Sequence, residues 1–159
     1  MKMVTSDAAK LAEKLKERKL TLSVAESCTG GMISSVLTEL PGASEFFCGS
    51  AVTYSNGSKI DILNVDPETL KEYGAVSKET AKEMAVGART VFGSDISASV
   101  TGIAGPSGGT ESKPLGLVFI AVFDGTGSRV TENHFKGSRN DVRTAASEAV
   151  IAALLELLS

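Results

Sequence analysis

One histidine and two cysteines are all that this 159-residue chain offers toward metal or thiol chemistry. His134, Cys28 and Cys48 form no close cluster, which argues against a structural zinc site. Two cysteines do not make a disulfide framework, and they fit a reducing compartment. There is no basic excess either. The 16 Lys and Arg stand against 19 Asp and Glu, leaving a formal charge of −3, which argues against a nucleic-acid-binding protein. No run approaches the ~20 apolar residues of a membrane helix. Met1 to Lys19 alternates charge with leucine and has no apolar signal-peptide core. A cytoplasmic protein with no nucleic-acid or membrane partner is expected. Repeats, linkers and low-complexity tracts are also missing, so a single domain over residues 1–159 is expected.

What is present is ordinary for a globular protein, with 42% hydrophobic and 22% charged residues. Helix and strand patterns alternate. Ala8, Leu11, Ala12 and Leu15 have helical spacing behind a Ser6 cap, with Asp7 in the first turn. A strand at 20–25 leads to a helix at 29–40, on which Met32, Ile33, Val36, Leu37 and Leu40 share a face. After Pro41-Gly42, Phe46 to Tyr54 reads as a second strand closed by Ser55-Asn56-Gly57. Short helices at 58–63 and 67–73 precede a longer one capped by Ser77 and closed by Gly93, with Ala81, Met84, Ala85, Ala88, Val91 and Phe92 on one face. Strands follow at 95–101, 115–123 and 129–135, the last two joined by the hairpin signal Asp124-Gly125-Thr126-Gly127. The last, polar strand reads as an edge. Ser138-Arg139-Asn140-Asp141 resembles a capping box at the start of a final helix. Helical crossovers imply parallel pairing of the first three strands, while the fourth follows a loop and is expected to run antiparallel. The fold expected is α/β, a three-layer α/β/α sandwich around a five-stranded, mixed, mostly parallel sheet.

This topology gathers the unusual segments on one rim, where open α/β sheets bind their ligands. They are Ala25-Glu26-Ser27-Cys28-Thr29-Gly30-Gly31, Tyr54-Ser55-Asn56, Thr101 to Gly109, Lys113-Pro114 and Gly137-Ser138-Arg139. The first is a tight strand-to-helix turn that suits a nucleophile, an anion, or both. Ser27 is either that nucleophile or a helix cap; Cys28 is its rival, since a thiol at a helix N-terminus has a lowered pKa. The glycine loop 101–109 is either an anion cradle of backbone N–H groups or a plain surface loop. His134 sits in the edge strand and makes a poor triad partner. A lysine base remains, if burial or a helix dipole lowers its pKa. Lys59 is placed for that and Lys113 competes with it. Arg139 and Arg143 oppose the dipole of the last helix unless an anion compensates, and Arg139 lies nearer the rim.

At these residues the chain resembles the CinA C-terminal domain family, the nicotinamide mononucleotide (NMN) deamidases also called PncC. The matching segments are 25–31, Val52 to Asn56 with Lys59, Gly74 to Ser77, Ser99 to Pro106 with Gly108-Gly109, and Lys113 to Gly116. The resemblance covers about residues 6–158. It implies the α/β/α fold and an amidohydrolase that converts NMN to nicotinic acid mononucleotide and ammonia with a Ser/Lys pair, no metal and no cofactor. Carried over, Ser27 is the nucleophile and Lys59 its base, with Tyr54 and Thr101 as supporting residues. Either Arg139 or Arg143 matches the family's arginine. Fitted to NMN, Thr29, Gly30 and Gly31 border the reacting carbonyl, whose oxyanion the Gly30 and Gly31 amides would hold. Gly102, Gly105, Gly108, Gly109 and Arg139 would hold the phosphate. The chain looks like a stand-alone form, and a homodimer is a modest expectation. The rival reading is a non-catalytic nucleotide- or phosphate-binding module.

Overall fold

Glycine decides where the first strand gives way to its helix. In the computed structural model, which describes residues 2–159 and side chains from Ser6 onward, β1 (Leu22–Glu26) is buried at every position. The turn after it holds Gly30 and Gly31 at φ of 59° and 102°, left-handed values that only glycine adopts at little cost. Helix α2 therefore begins at Met32 and ends at Thr38, shorter than the expected 29–40. Helix α1 (Lys2–Arg18) starts a turn earlier than expected, so Ser6 lies inside it and does not cap it.

The chain continues through a 3-10 turn (Ala43–Glu45), β2 (Phe47–Val52), α3 (Asn56–Leu63), α4 (Pro67–Tyr73), α5 (Lys78–Phe92), β3 (Ile96–Gly102), β4 (Leu117–Phe123), β5 (Ser128–His134) and α6 (Arg139–Leu157). The sheet order is β2-β1-β3-β4-β5. Strand β1 is parallel to β2 and β3, and β4 is antiparallel to both β3 and β5. The expected mixed sheet with one reversed strand is thus what forms.

Strand alternation sends side chains to two helical layers. Leu22, Val24, Ala98, Val100 and Ile120 pack with Leu11, Leu15, Leu37, Val150 and Leu154 of α1, α2 and α6. On the other face Ala25 and Ala51 meet Leu63, Leu70 and Met84 of α3, α4 and α5, and Phe119 and Ala121 meet Ala81 and Ala85. Toward α5, β3 presents Ser97 and Ser99, whose hydroxyls donate to the Ala85 and Ala81 carbonyls. Small residues on both sides let that helix lie close to the sheet. Ser55, Asp66, Ser77 and Ser138 each accept an N-cap hydrogen bond, and Ser138 with Asp141 completes the expected capping box. No described helix is long and apolar enough to cross a membrane.

Candidate active site

Ser27 follows the last residue of β1, and its N–H donates to the Val100 carbonyl at 3.1 Å. Lys59 comes from the neighbouring segment. Ser55 caps α3, so Lys59 sits one turn into the helix, only 1% exposed. Its Nζ donates to Ser27 Oγ at 2.9 Å, to the Thr53 carbonyl at 2.7 Å and to the Tyr54 carbonyl at 3.2 Å. Carbonyl oxygens can only accept. Two of the Nζ positions are therefore fixed as donors, and in the neutral amine the lone pair is left for Ser27 Oγ. Burial lowers the Lys59 pKa from 10.5 to about 8.

Cys28 packs with the apolar core and also borders the small cavity beside Ser27, but burial pushes its thiol up to about 11, so the expected lowering at a helix N-terminus does not occur. Lys113 is directed elsewhere, its Nζ donating to the Tyr73 carbonyl at the end of α4. His134 is exposed and bonds Glu132 at 3.2 Å.

A cavity of about 180 Å³ brings together Ser27, Lys59, Tyr54, Thr101, Gly102 and Arg139. Thr101 is buried and its hydroxyl donates to the Ala75 carbonyl at 2.8 Å, holding the cavity wall at 75–76 in place. Arg139 crosses the mouth, donating to the Gly105 carbonyl at 2.7 Å and to Tyr54 Oη at 3.0 Å. It also borders a second cavity of about 350 Å³, beside Gly105, Pro106, Lys136 and Ser138. Thr29, Gly30, Gly31, Gly108 and Gly109 line neither cavity. The Gly30 amide donates to the Ser27 carbonyl and the Gly31 amide to Glu26, so the turn absorbs both. Gly109 packs against Leu115. Arg143 braces the turn from outside, donating to the Cys28 and Thr29 carbonyls, each at 3.1 Å. A larger hollow of about 450 Å³ between α3 and α5 is lined by Glu79, Lys82 and Glu83 and includes none of the expected site residues.

The sequence model of the CinA C-terminal domain matches residues 4–158. The chain belongs to the CinA C-terminal domain family. A curated relative from Syntrophomonas wolfei, named CinA-like protein, is 50% identical over 133 residues, covering 84% of this chain and 32% of its own length. A CinA-like protein from Thermotoga maritima is 50% identical over 144 residues, or 91% of this chain and 35% of its own length. The chain thus spans about a third of the length of these relatives. The competence/damage inducible protein CihA from Agrobacterium tumefaciens superposes with a TM-score of 0.96 at 37% identity, covering 98% of this chain and 96% of that one. A CinA superfamily protein from Escherichia coli does so with a TM-score of 0.94 at 34% identity, covering 97% and 90%. None of these names states a reaction.

One CinA-domain residue at the site escaped the sequence reading. Glu26 is fully buried and accepts hydrogen bonds from the turn and from the start of α2. The available signal was indirect. Gly31, the N-cap of α2, has no side chain to satisfy the first amides, so another acceptor had to do it.

Proposed function

We propose that the chain is an amidohydrolase that converts NMN to nicotinic acid mononucleotide and ammonia. The observation that carries this reading is the placement of Lys59 Nζ, 2.9 Å from Ser27 Oγ and held by two carbonyl acceptors. Neutral Lys59 takes the Ser27 proton as Oγ attacks the carboxamide carbon, which the cationic pyridinium ring makes electron-poor. Protonated Lys59 delivers its proton to the amide nitrogen as the tetrahedral intermediate collapses, so the C–N bond breaks and the nitrogen leaves as ammonia. Water, deprotonated by Lys59, then hydrolyses the acyl-enzyme and restores Ser27. With the Gly30 and Gly31 amides bonded inside the turn, the oxyanion falls to the Cys28 amide, for which no carbonyl acceptor exists among the described residues. Arg139, shared by the two cavities, holds the phosphate by charge-assisted hydrogen bonds, with the nucleotide extending past Gly105 and Lys136. Tyr54 Oη, bonded to Arg139, lines the same cavity and would relay a proton.

Ammonia and nicotinic acid mononucleotide released from NMN by the pure protein test the reading. Ser27→Ala should abolish release with the fold intact. Lys59→Arg should be as inactive as Lys59→Ala, because arginine does not give up its proton. Binding of NMN without ammonia release would favour the non-catalytic module instead, and an active Lys59→Arg would remove lysine as the base.

A further inference from the structure

We infer that Glu26 is the positioning residue of the Ser27–Lys59 pair; this rests on the reading of that pair as the reacting groups. Glu26 ends β1 and is the chain neighbour of Ser27. Its carboxylate is fully buried and faces no lysine or arginine within ion-pair distance among the described residues. Donors surround it instead. Oε1 accepts from Thr29 Oγ1 at 2.7 Å, the Gly31 amide at 3.2 Å and the Ile33 amide at 3.0 Å. Oε2 accepts from the Ser34 amide at 3.0 Å and from Ser34 Oγ. All of these donors lie in 29–34, the stretch that turns the chain from β1 into α2.

The backbone of Glu26 reaches the other reacting group. Its carbonyl accepts from the Thr53 amide at 2.8 Å, and the Thr53 carbonyl accepts from Lys59 Nζ. One residue thus ties the nucleophile's turn to the segment that aims the base. Each carboxylate oxygen accepts from at least one backbone N–H. A glutamine side chain would set its NH2, which donates and does not accept, against one of those amides in either orientation. A turn relaxed in this way moves Ser27 Oγ off the Lys59 lone pair while leaving the cavity that binds substrate.

The test follows capture of Ser27 by a small fluorophosphonate, read by intact mass. The Ser27 Oγ–P bond forms, the P–F bond breaks, fluoride leaves and Lys59 takes the proton. Wild type is expected to be labelled once, at Ser27. Folded Glu26→Gln is expected to be labelled about 100-fold more slowly, the cost of a small misplacement of reacting groups. With NMN, its kcat should fall to match while KM stays within about threefold. A purely structural cap would lower the melting temperature but leave the labelling rate of folded molecules unchanged, so labelling within about threefold of wild type overturns the inference. Failure of wild type to be labelled overturns the Ser27–Lys59 reading itself. If Glu26→Gln does not fold, Ser34→Ala decides: it removes one donor to Oε2 without adding an opposing one. It should slow labelling by roughly threefold or more, and an unchanged rate counts against Glu26.

Discussion

An ammonium group without a carboxylate is costly to bury, yet Lys59 is 1% exposed and its partners are a hydroxyl and two carbonyls. The cost appears as the pKa of about 8. Deamidation should therefore rise with pH through a limb centred near 8, where the neutral base becomes the dominant form; a limb near 6 in kcat/KM would point to a different group. The same shift predicts a stability effect of definite sign. Below pH 8 the charged group is buried and destabilises the fold. Between about 8 and 10.5 the folded state has released a proton that the unfolded state keeps, so stability rises with pH. Relative to Lys59→Met, which cannot titrate, wild type should thus gain stability between pH 7 and 10.5, by on the order of 3 kcal/mol, the equivalent of that pKa gap. The buried Cys28 thiol acts oppositely between 9 and about 11 and is coupled to Lys59, so the interval from pH 7 to 9 reports Lys59 most directly. Urea unfolding of both at pH 7, 9 and 10.5 measures this, and a pH-independent difference would exclude a shifted Lys59. Topology brought the segments of Ser27 and Lys59 to one rim, but spacing alone left Cys28 and Lys113 as rivals, and the family resemblance singled out the pair. Glu26 was not legible, because a glutamate among Ser, Thr and Gly reads as solvated until α2 is seen to need its oxygens.

Element packing explains how α3 keeps Lys59 in place. A Cβ at Gly87 of α5 would collide with the Leu63 carbonyl oxygen at the end of α3. Glycine inside a helix normally costs about 1 kcal/mol relative to alanine, so the residue is retained for close approach. Gly87→Ala should therefore destabilise by roughly 1–3 kcal/mol despite its better helix propensity. It should also cut kcat roughly tenfold by displacing α3 and the lysine it carries. Thermal melts with NMN kinetics measure both, and a more stable, fully active variant would show that α3 is held otherwise. The apolar stripe of α5 was legible in the spacing of Ala81, Met84, Ala85 and Ala88, all buried. The same spacing predicts Val91 inward, yet it is 51% exposed; at the end of the helix, periodicity continues past the sheet that would cover it. The early start of α1 was missed for a related reason: Ser6 is a good cap by type, and the helical residues before it carry no periodic signal.

At the scale of the whole molecule, charge is distributed against the average. The chain carries a net −3, yet Arg139 and Lys136 flank the two adjoining cavities, and Arg143 lies one helical turn beyond Arg139. A local positive field on an acidic protein suits an anionic substrate. The order β2-β1-β3-β4-β5, with only β4 reversed, puts these cations on the rim that carries Ser27. The alternation of helix and strand signals anticipated that the fourth strand alone runs backwards, but not the order in which the strands lie side by side. It could not distinguish Arg139 from Arg143, because residues one turn apart on a helix differ only in what the rest of the fold places beside them. The structure gives them different partners: Arg139 bonds the Gly105 carbonyl and Tyr54 across the cavity mouth, while Arg143 bonds the carbonyls of Cys28 and Thr29 inside the turn. Pairing each variant with two substrates separates the roles. Arg139→Ala should raise the KM for NMN about tenfold, the worth of an exposed charge-assisted contact. It should leave nicotinamide riboside nearly unchanged, since that substrate has no phosphate to lose contact with. Arg143→Ala should instead lower kcat for both alike, because a loosened turn misplaces Ser27 whatever the substrate carries. Reversal of the two patterns would put the phosphate on Arg143 and leave Arg139 as the brace between Gly105 and Tyr54.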